Sequence, residues 1–158
     1  MTQKQEEPTK VIYTLGTSNR ELEEFVDLLR AYGIEQVLDV RSFPVSRRYP
    51  HFSRENLEKA LPTKGISYIW LGKRLGGYRR GGYEAYMESE DFQKGLSELA
   101  ALAERKPSAI ICAERFPWRC HRRFISLKLE ELGFEVRHIL DKGRLWIPKA
   151  RMKPKLML

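Results

Sequence analysis

Cysteine is nearly absent from this chain: its 158 residues hold two, Cys112 and Cys120. A disulfide scaffold is thereby excluded. Nor is there a run of about 18 apolar residues, which excludes a hydrophobic membrane-spanning helix. The opening stretch, MTQKQEEPTK, lacks the apolar segment of a secretory signal, so a cytosolic protein is expected. Acidic residues are the minority charge, 21 against 29 Lys and Arg, leaving a formal net charge of +8. That balance favours anionic partners, whether nucleic acid, nucleotides or phosphorylated metabolites. Asn and Gln are few beside abundant Lys, Arg and Glu, a composition found in thermophilic proteins. Repeats and composition breaks are also missing. With 42% hydrophobic residues, the length suits a single domain with a full core.

What is present is an alternation of short apolar runs with helical patterns. Val11–Leu15, Gln36–Val40, Ile66–Leu71, Ala109–Cys112 and Phe134–Leu140 read as five strands. Between the first two, Leu22, Phe25, Val26, Leu29 and Tyr32 recur at helical spacing, with Ser18 or Asn19 as cap and Gly33 as stop. Ser53 is placed to cap a helix over Arg54–Leu61, ended by Pro62. GKRLGGYRRGGY reads as a flexible basic loop. Helices over Tyr83–Glu88 and Asp91–Arg105 follow, and a last one starts at Cys120. The expected fold is α/β and three-layered, with a mainly parallel five-stranded sheet in order 3-2-1-4-5 and helices on both faces. The expected domain is 10–143, with a disordered leader over 1–9 and a basic tail over 144–158.

Three loops carry unusual chemistry: Gly16–Arg20, Arg41–Phe52 and Ala113–His121. In an open parallel sheet they would meet at the carboxyl ends of the strands, where ligands bind. The third is the densest. A strand passing through a tight loop into a helix leaves unpaired N–H groups that suit an anion. Here a thiol, an imidazole, the Glu114 carboxylate and several guanidiniums lie beside them.

Several elements together resemble the family called domain of unknown function 488: TLGTSNR after the first strand, LDVRSFPVSRR after the second, GISYIWLGKRLGG, and CAERFPWRCHR before the last helix. The resemblance runs from about Val11 to Leu140. Members commonly carry Thr-Ile-Gly-His-Ser in the first loop. Here Leu15 and Thr17 replace Ile and His, so any role of that His is absent or has passed to His51 or His121. The resemblance implies a fold more than an activity.

Cys120, at a helix start among arginines, would be held as the reactive thiolate, or else be a packed cap-region thiol. Cys112, inside a strand, reads as a small buried residue. The layout is similar to that of cysteine phosphatases and sulfurtransferases. The spacing departs from it, because six residues separate Cys112 from Arg119 and Cys120 opens the helix instead of the loop. The candidate catalytic set is Cys120, His121 and Glu114. The candidate ligand-binding set is Gly16, Thr17, Ser18, Asn19, Arg41, Arg47, Arg48, Arg119 and Arg122, with Asp39 orienting Arg41 through a paired hydrogen bond. Tyr49, Phe52, Tyr78 and Trp118 offer stacking faces for nucleic acid, or serve as packing. No cofactor is expected. No metal is expected either, since there is no C-x2-C pair and Cys120 and His121 are adjacent. The sequence therefore points to an anionic, phosphate-bearing ligand such as a nucleotide or nucleic-acid end. A Cys-dependent phosphoryl- or sulfur-transfer enzyme and a nucleic-acid-binding module are the alternatives.

Overall fold

The computed structural model describes residues 10–148. The leader and most of the basic tail lie outside the described residues. Six strands form one sheet: β1 (Lys10–Gly16), β2 (Gln36–Asp39), β3 (Ser67–Trp70), β4 (Ser108–Cys112), β5 (Phe134–Asp141) and β6 (Arg144–Trp146). Five are parallel, and β6 runs antiparallel to β5. The expected five strands thus become six. The sixth comes from the segment assigned to the tail: Arg144–Trp146 turns back through Gly143 and pairs with β5.

The observed order is β3-β2-β4-β1-β5-β6, so the expected 3-2-1-4-5 is wrong in one place. β4 lies between β2 and β1. Its sequence, SAIIC, is buried at every position. An apolar strand buried on both faces stabilises the sheet most at its centre, and that preference outweighs the tendency of consecutive strands to be neighbours. The insertion sets the carboxyl ends of β1, β4 and β2 side by side, with Gly16 opposite Cys112 and Asp39 opposite Ile111.

Strand side chains alternate between two apolar clusters. Leu15, Val37, Ala109 and Ile111 pack with Phe25 and Leu29 of α1 (Leu22–Ala31) and with Leu57 and Leu61 of α2 (Arg54–Thr63). Ile12, Leu38 and Ile110 pack with Phe92, Leu96 and Leu99 of α5 (Glu90–Arg105) and with Ile125 and Leu129 of α6 (Arg122–Glu131). Two short helices, α3 (Gly72–Leu75) and α4 (Tyr83–Tyr86), lie between β3 and α5.

Several local expectations change. α1 begins at Leu22, and neither Ser18 nor Asn19 caps it. Ser18 is instead left-handed, at φ 50°, and Asn19 Oδ1 accepts from Arg115 Nη2. Ser53 makes no cap bond to α2; its Oγ accepts from the Ser46 amide, and the helix runs through Pro62 to Thr63. The start of the basic glycine loop is ordered as α3, because Gly72 lets the backbone pass against the Arg41 carbonyl. A Cβ there would lie 1.9 Å from that oxygen. Trp70 Nε1 donates to the same carbonyl, at 2.8 Å.

Candidate functional site

The loops after β1, β2 and β4 are laced together by backbone bonds. Thr17 N donates to the Cys112 carbonyl at 2.8 Å, and Ser18 N to that of Ala113 at 2.9 Å. Gly16 makes this possible: a Cβ at that position would sit 1.9 Å from the Glu114 carbonyl. From the second loop, the Val40 carbonyl accepts from His121 Nε2 at 2.9 Å.

Two adjoining cavities open between these loops. The larger, about 680 Å³, is lined by Thr17, Ser18 and Asn19, by Arg41 and Arg48, and by Glu114 and Arg119, among others. The smaller, about 360 Å³, shares Arg41, Glu114 and Arg119 and reaches Cys112, Cys120 and His121. Gly16 lines neither and is a packing residue. Phe43 and Tyr78, 70% and 80% exposed, meet edge to face at 5.7 Å on the rim of the smaller cavity.

Arg41 is the fixed cation of this space. It is buried, and its Nε and Nη2 donate to the two carboxylate oxygens of Asp39 at 2.9 and 2.7 Å. This is the paired bond expected from the sequence. The Tyr68 hydroxyl also donates to Asp39. Burial works against the Arg41 charge, but the bonds to Asp39 more than offset it and hold the guanidinium above its usual range. Arg48 and Arg119 are exposed and, among the described residues, have no side-chain hydrogen-bond or ion-pair partner. Arg47 is exposed but lines neither cavity.

Arg122 departs most from expectation. The sequence puts it at the rim, yet it is fully buried beneath the loop. Nη1 donates to Thr14 Oγ1 at 2.8 Å, and Nη2 to the carbonyls of Glu114 and Arg115, both at 2.9 Å. The same Thr14 Oγ1 is hydrogen-bonded to His138 Nδ1 at 2.7 Å. This guanidinium shapes the third loop from inside and is not available to a ligand.

The N–H groups expected to be unpaired where the third loop enters the last helix are also largely occupied. A 3-10 turn over Pro117–Arg119 precedes α6, and Cys120 itself is extended. Arg119 N donates to Phe116 O and Cys120 N to Pro117 O, while Arg122 N donates to the Cys120 thiol sulfur at 3.3 Å. The helix therefore begins two residues later than the sequence suggests, and its first amide, that of Arg122, serves the sulfur.

Cys120 is half-buried at this point. Cys112 Sγ lies 2.7 Å from Cys120 Sγ, and His121 Nδ1 lies 3.6 Å from it. Both cysteines are free thiols. Because His121 Nε2 faces the Val40 carbonyl, it must carry the proton. Nδ1, 3.6 Å from the Cys120 sulfur, can then accept from the thiol or, when the ring carries a second proton, donate to the thiolate. The hydrogen bond from Cys112 is the largest influence on Cys120. With His121 and Arg122 it outweighs burial and lowers the thiol to about 4. Burial, followed by the bond to Cys120, raises Cys112. The pair is therefore S–H···S⁻, with the charge on Cys120.

His51 is elsewhere: its Nε2 bonds to the Arg20 carbonyl and its ring packs on Phe52, 4.3 Å away. Of the two histidines named as replacements for the family residue, His121 lines the smaller of these cavities and His51 lines neither. Sequence reasoning passes over Gly77, whose missing side chain makes room for the His121 ring: a Cβ there would be 2.6 Å from Nδ1. It also passes over Ser42, whose Oγ accepts from Tyr78 N.

The profile of the family described as Domain of unknown function DUF488 matches residues 21–129, most of the chain. The protein belongs to that family. No curated protein and no solved structure matches it. The matched span takes in the loops after β2 and β4, with Arg41, Glu114, Cys120 and His121, but begins after the Gly16–Arg20 loop. No helix among the described residues is long and apolar enough to cross a membrane.

Proposed function

We propose that the paired cavities bind an anionic, phosphate-bearing molecule and present it to Cys120 as the nucleophile of a group-transfer reaction. One observation carries this reading: Cys120 Sγ, held between Cys112, His121 Nδ1 and the Arg122 amide, opens onto a cavity that Arg41 and Arg119 also line. A thiolate is the reactive form of cysteine, and an adjacent imidazole can take or return its proton. Arg119 and Arg48, without side-chain partners among the described residues, present planar forks suited to phosphate or carboxylate. Glu114 lines both cavities and is the remaining acid–base candidate. A phosphatase-like amide cradle is the weaker form of the proposal, because the Arg119, Cys120 and Arg122 N–H groups already have partners. Transfer of a sulfur-bearing or other soft group fits better. Free thiols in close contact suit a reducing compartment such as the cytoplasm.

The exposed Phe43 and Tyr78 rings favour one elaboration, in which the anion is the phosphate of a nucleotide or of a single-stranded nucleic-acid end whose base stacks on the rim.

Calorimetric titration with a nucleoside monophosphate tests the pocket. Arg119→Ala should weaken binding by about 1.5–3 kcal/mol, the scale of a lost charged hydrogen bond. Arg47→Ala, equal in charge but outside the cavities, should change little. Equal losses would mean a diffuse basic surface. In that case binding of a long single strand should also fall steeply with salt.

A further inference from the structure

Cys112 is the group the proposed transfer leaves unused. A nucleophile alone needs no second thiol, and burial disfavours a reactive role for a strand cysteine. Yet Cys112 lies at the carboxyl end of the central strand with its sulfur 2.7 Å from that of Cys120, and both line the smaller cavity. Seven residues separate the two along the chain, and the 3-10 turn over Pro117–Arg119 folds the loop back so that they meet. Sulfurs so placed need to close by less than about 1 Å to reach covalent distance.

We infer that Cys112 and Cys120 form a dithiol–disulfide couple, with Cys120 as the attacking thiol and Cys112 as the resolving thiol, that reduces anionic disulfides entering the arginine-lined cavity. The inference rests on the proposed reading in one respect, the nucleophilic role of Cys120. The rest follows from the division of labour between the sulfurs. Cys120 is the half-buried sulfur facing the cavity, with the His121 ring beside it, whereas Cys112 is 2% exposed and meets a substrate only through Cys120.

With a disulfide RS–SR the chemistry balances in two steps. The Cys120 thiolate attacks one sulfur; a Cys120–S–S–R bond forms and RS⁻ leaves. Cys112 then attacks the Cys120 sulfur, its proton going to the departing second RS⁻, and the Cys112–Cys120 disulfide forms. Two electrons pass from the protein dithiol to the substrate, which leaves as one RSH and one RS⁻. Arg41 and Arg119 select anionic R groups by the same charge that favours a phosphate. A reducing thiol in the compartment returns the pair to its starting state.

The probe is oxidised glutathione, a disulfide with carboxylates on both halves, with cystamine as its cationic counterpart. Intact-mass analysis of the wild-type chain after exposure to oxidised glutathione should show the loss of two hydrogens and no lasting adduct. Cys112→Ser and Cys112→Ala should both hold a glutathione adduct on Cys120, and Cys120→Ser should hold none. Cystamine should react more slowly than oxidised glutathione, and Arg119→Ala should narrow the gap. A stable glutathione adduct on wild-type Cys120 would overturn the resolving role of Cys112 while leaving the nucleophile intact. No reaction at either cysteine would overturn both. Equal rates for the two disulfides would overturn the selection of anions.

Discussion

At the scale of single residues, the site depends on where two protons sit. One is on His121 Nε2, kept there by the Val40 carbonyl, and the other is on Cys112, shared with Cys120. A lowered thiol pKa means that the thiolate persists as pH falls from 8 towards 6, where an ordinary cysteine would be protonated. Alkylation of Cys120 should therefore be nearly flat across that range. Cys112, raised by burial, should stay unlabelled throughout. His121→Gln removes the imidazole and its contribution to the lowered value. The Cys120 alkylation rate at pH 6 should then drop by roughly tenfold for each unit that the thiol rises above the working pH. An unchanged rate would mean that His121 only packs beneath Tyr83, whose ring lies 5.3 Å away. The cysteines and histidine are legible as a cluster because they stand close in sequence. Their geometry is not, since it depends on carbonyls of Phe116 and Pro117 that take up the amides first.

At the scale of elements, the end of β2 is the rigid part of the site. Asp39 and Arg41 are two residues apart, buried, and joined by two side-chain bonds, with Tyr68 of β3 and Trp70 completing the set. Removing one partner from such a pair leaves an uncompensated charge. Asp39→Ala should thus destabilise the fold by about 3–5 kcal/mol. The exposed Arg54–Glu58 pair on α2, of similar N···O distance at 2.8 Å, should lose no more than about 0.5 kcal/mol when Glu58 becomes Ala. Urea unfolding of the two variants measures the contrast, and similar losses would show that Asp39–Arg41 is solvated. Strands such as SAIIC and QVLD can be read from their apolar runs. Their lateral order cannot, because several strands are apolar enough for the centre and chain order does not choose among them. Arg122 escapes sequence reasoning for a related reason: Thr14, 108 positions away, and two loop carbonyls make its burial possible, and no periodicity announces such partners.

At the scale of the whole molecule, β4 between β1 and β2 brings three loops to one edge of the sheet. A net charge of +8 surrounds them, but charge alone does not make a site. What distinguishes this edge is a buried, bound Arg41 beside Arg48 and Arg119, which have no side-chain partner among the described residues, with a thiolate at the end of the space they line. The proposed chemistry requires that thiolate to be accessible and set in a cationic field. The most direct measurement compares alkylation of the wild-type chain by iodoacetate and by iodoacetamide at pH 6 to 8 and low salt, each site assigned by peptide mass. The expected result is labelling of Cys120 before Cys112, faster reaction with the anionic reagent than with the neutral one, and loss of that preference in high salt or in Arg119→Ala. Preferential labelling of Cys112, or slower reaction of Cys120 with iodoacetate than with iodoacetamide, would contradict it.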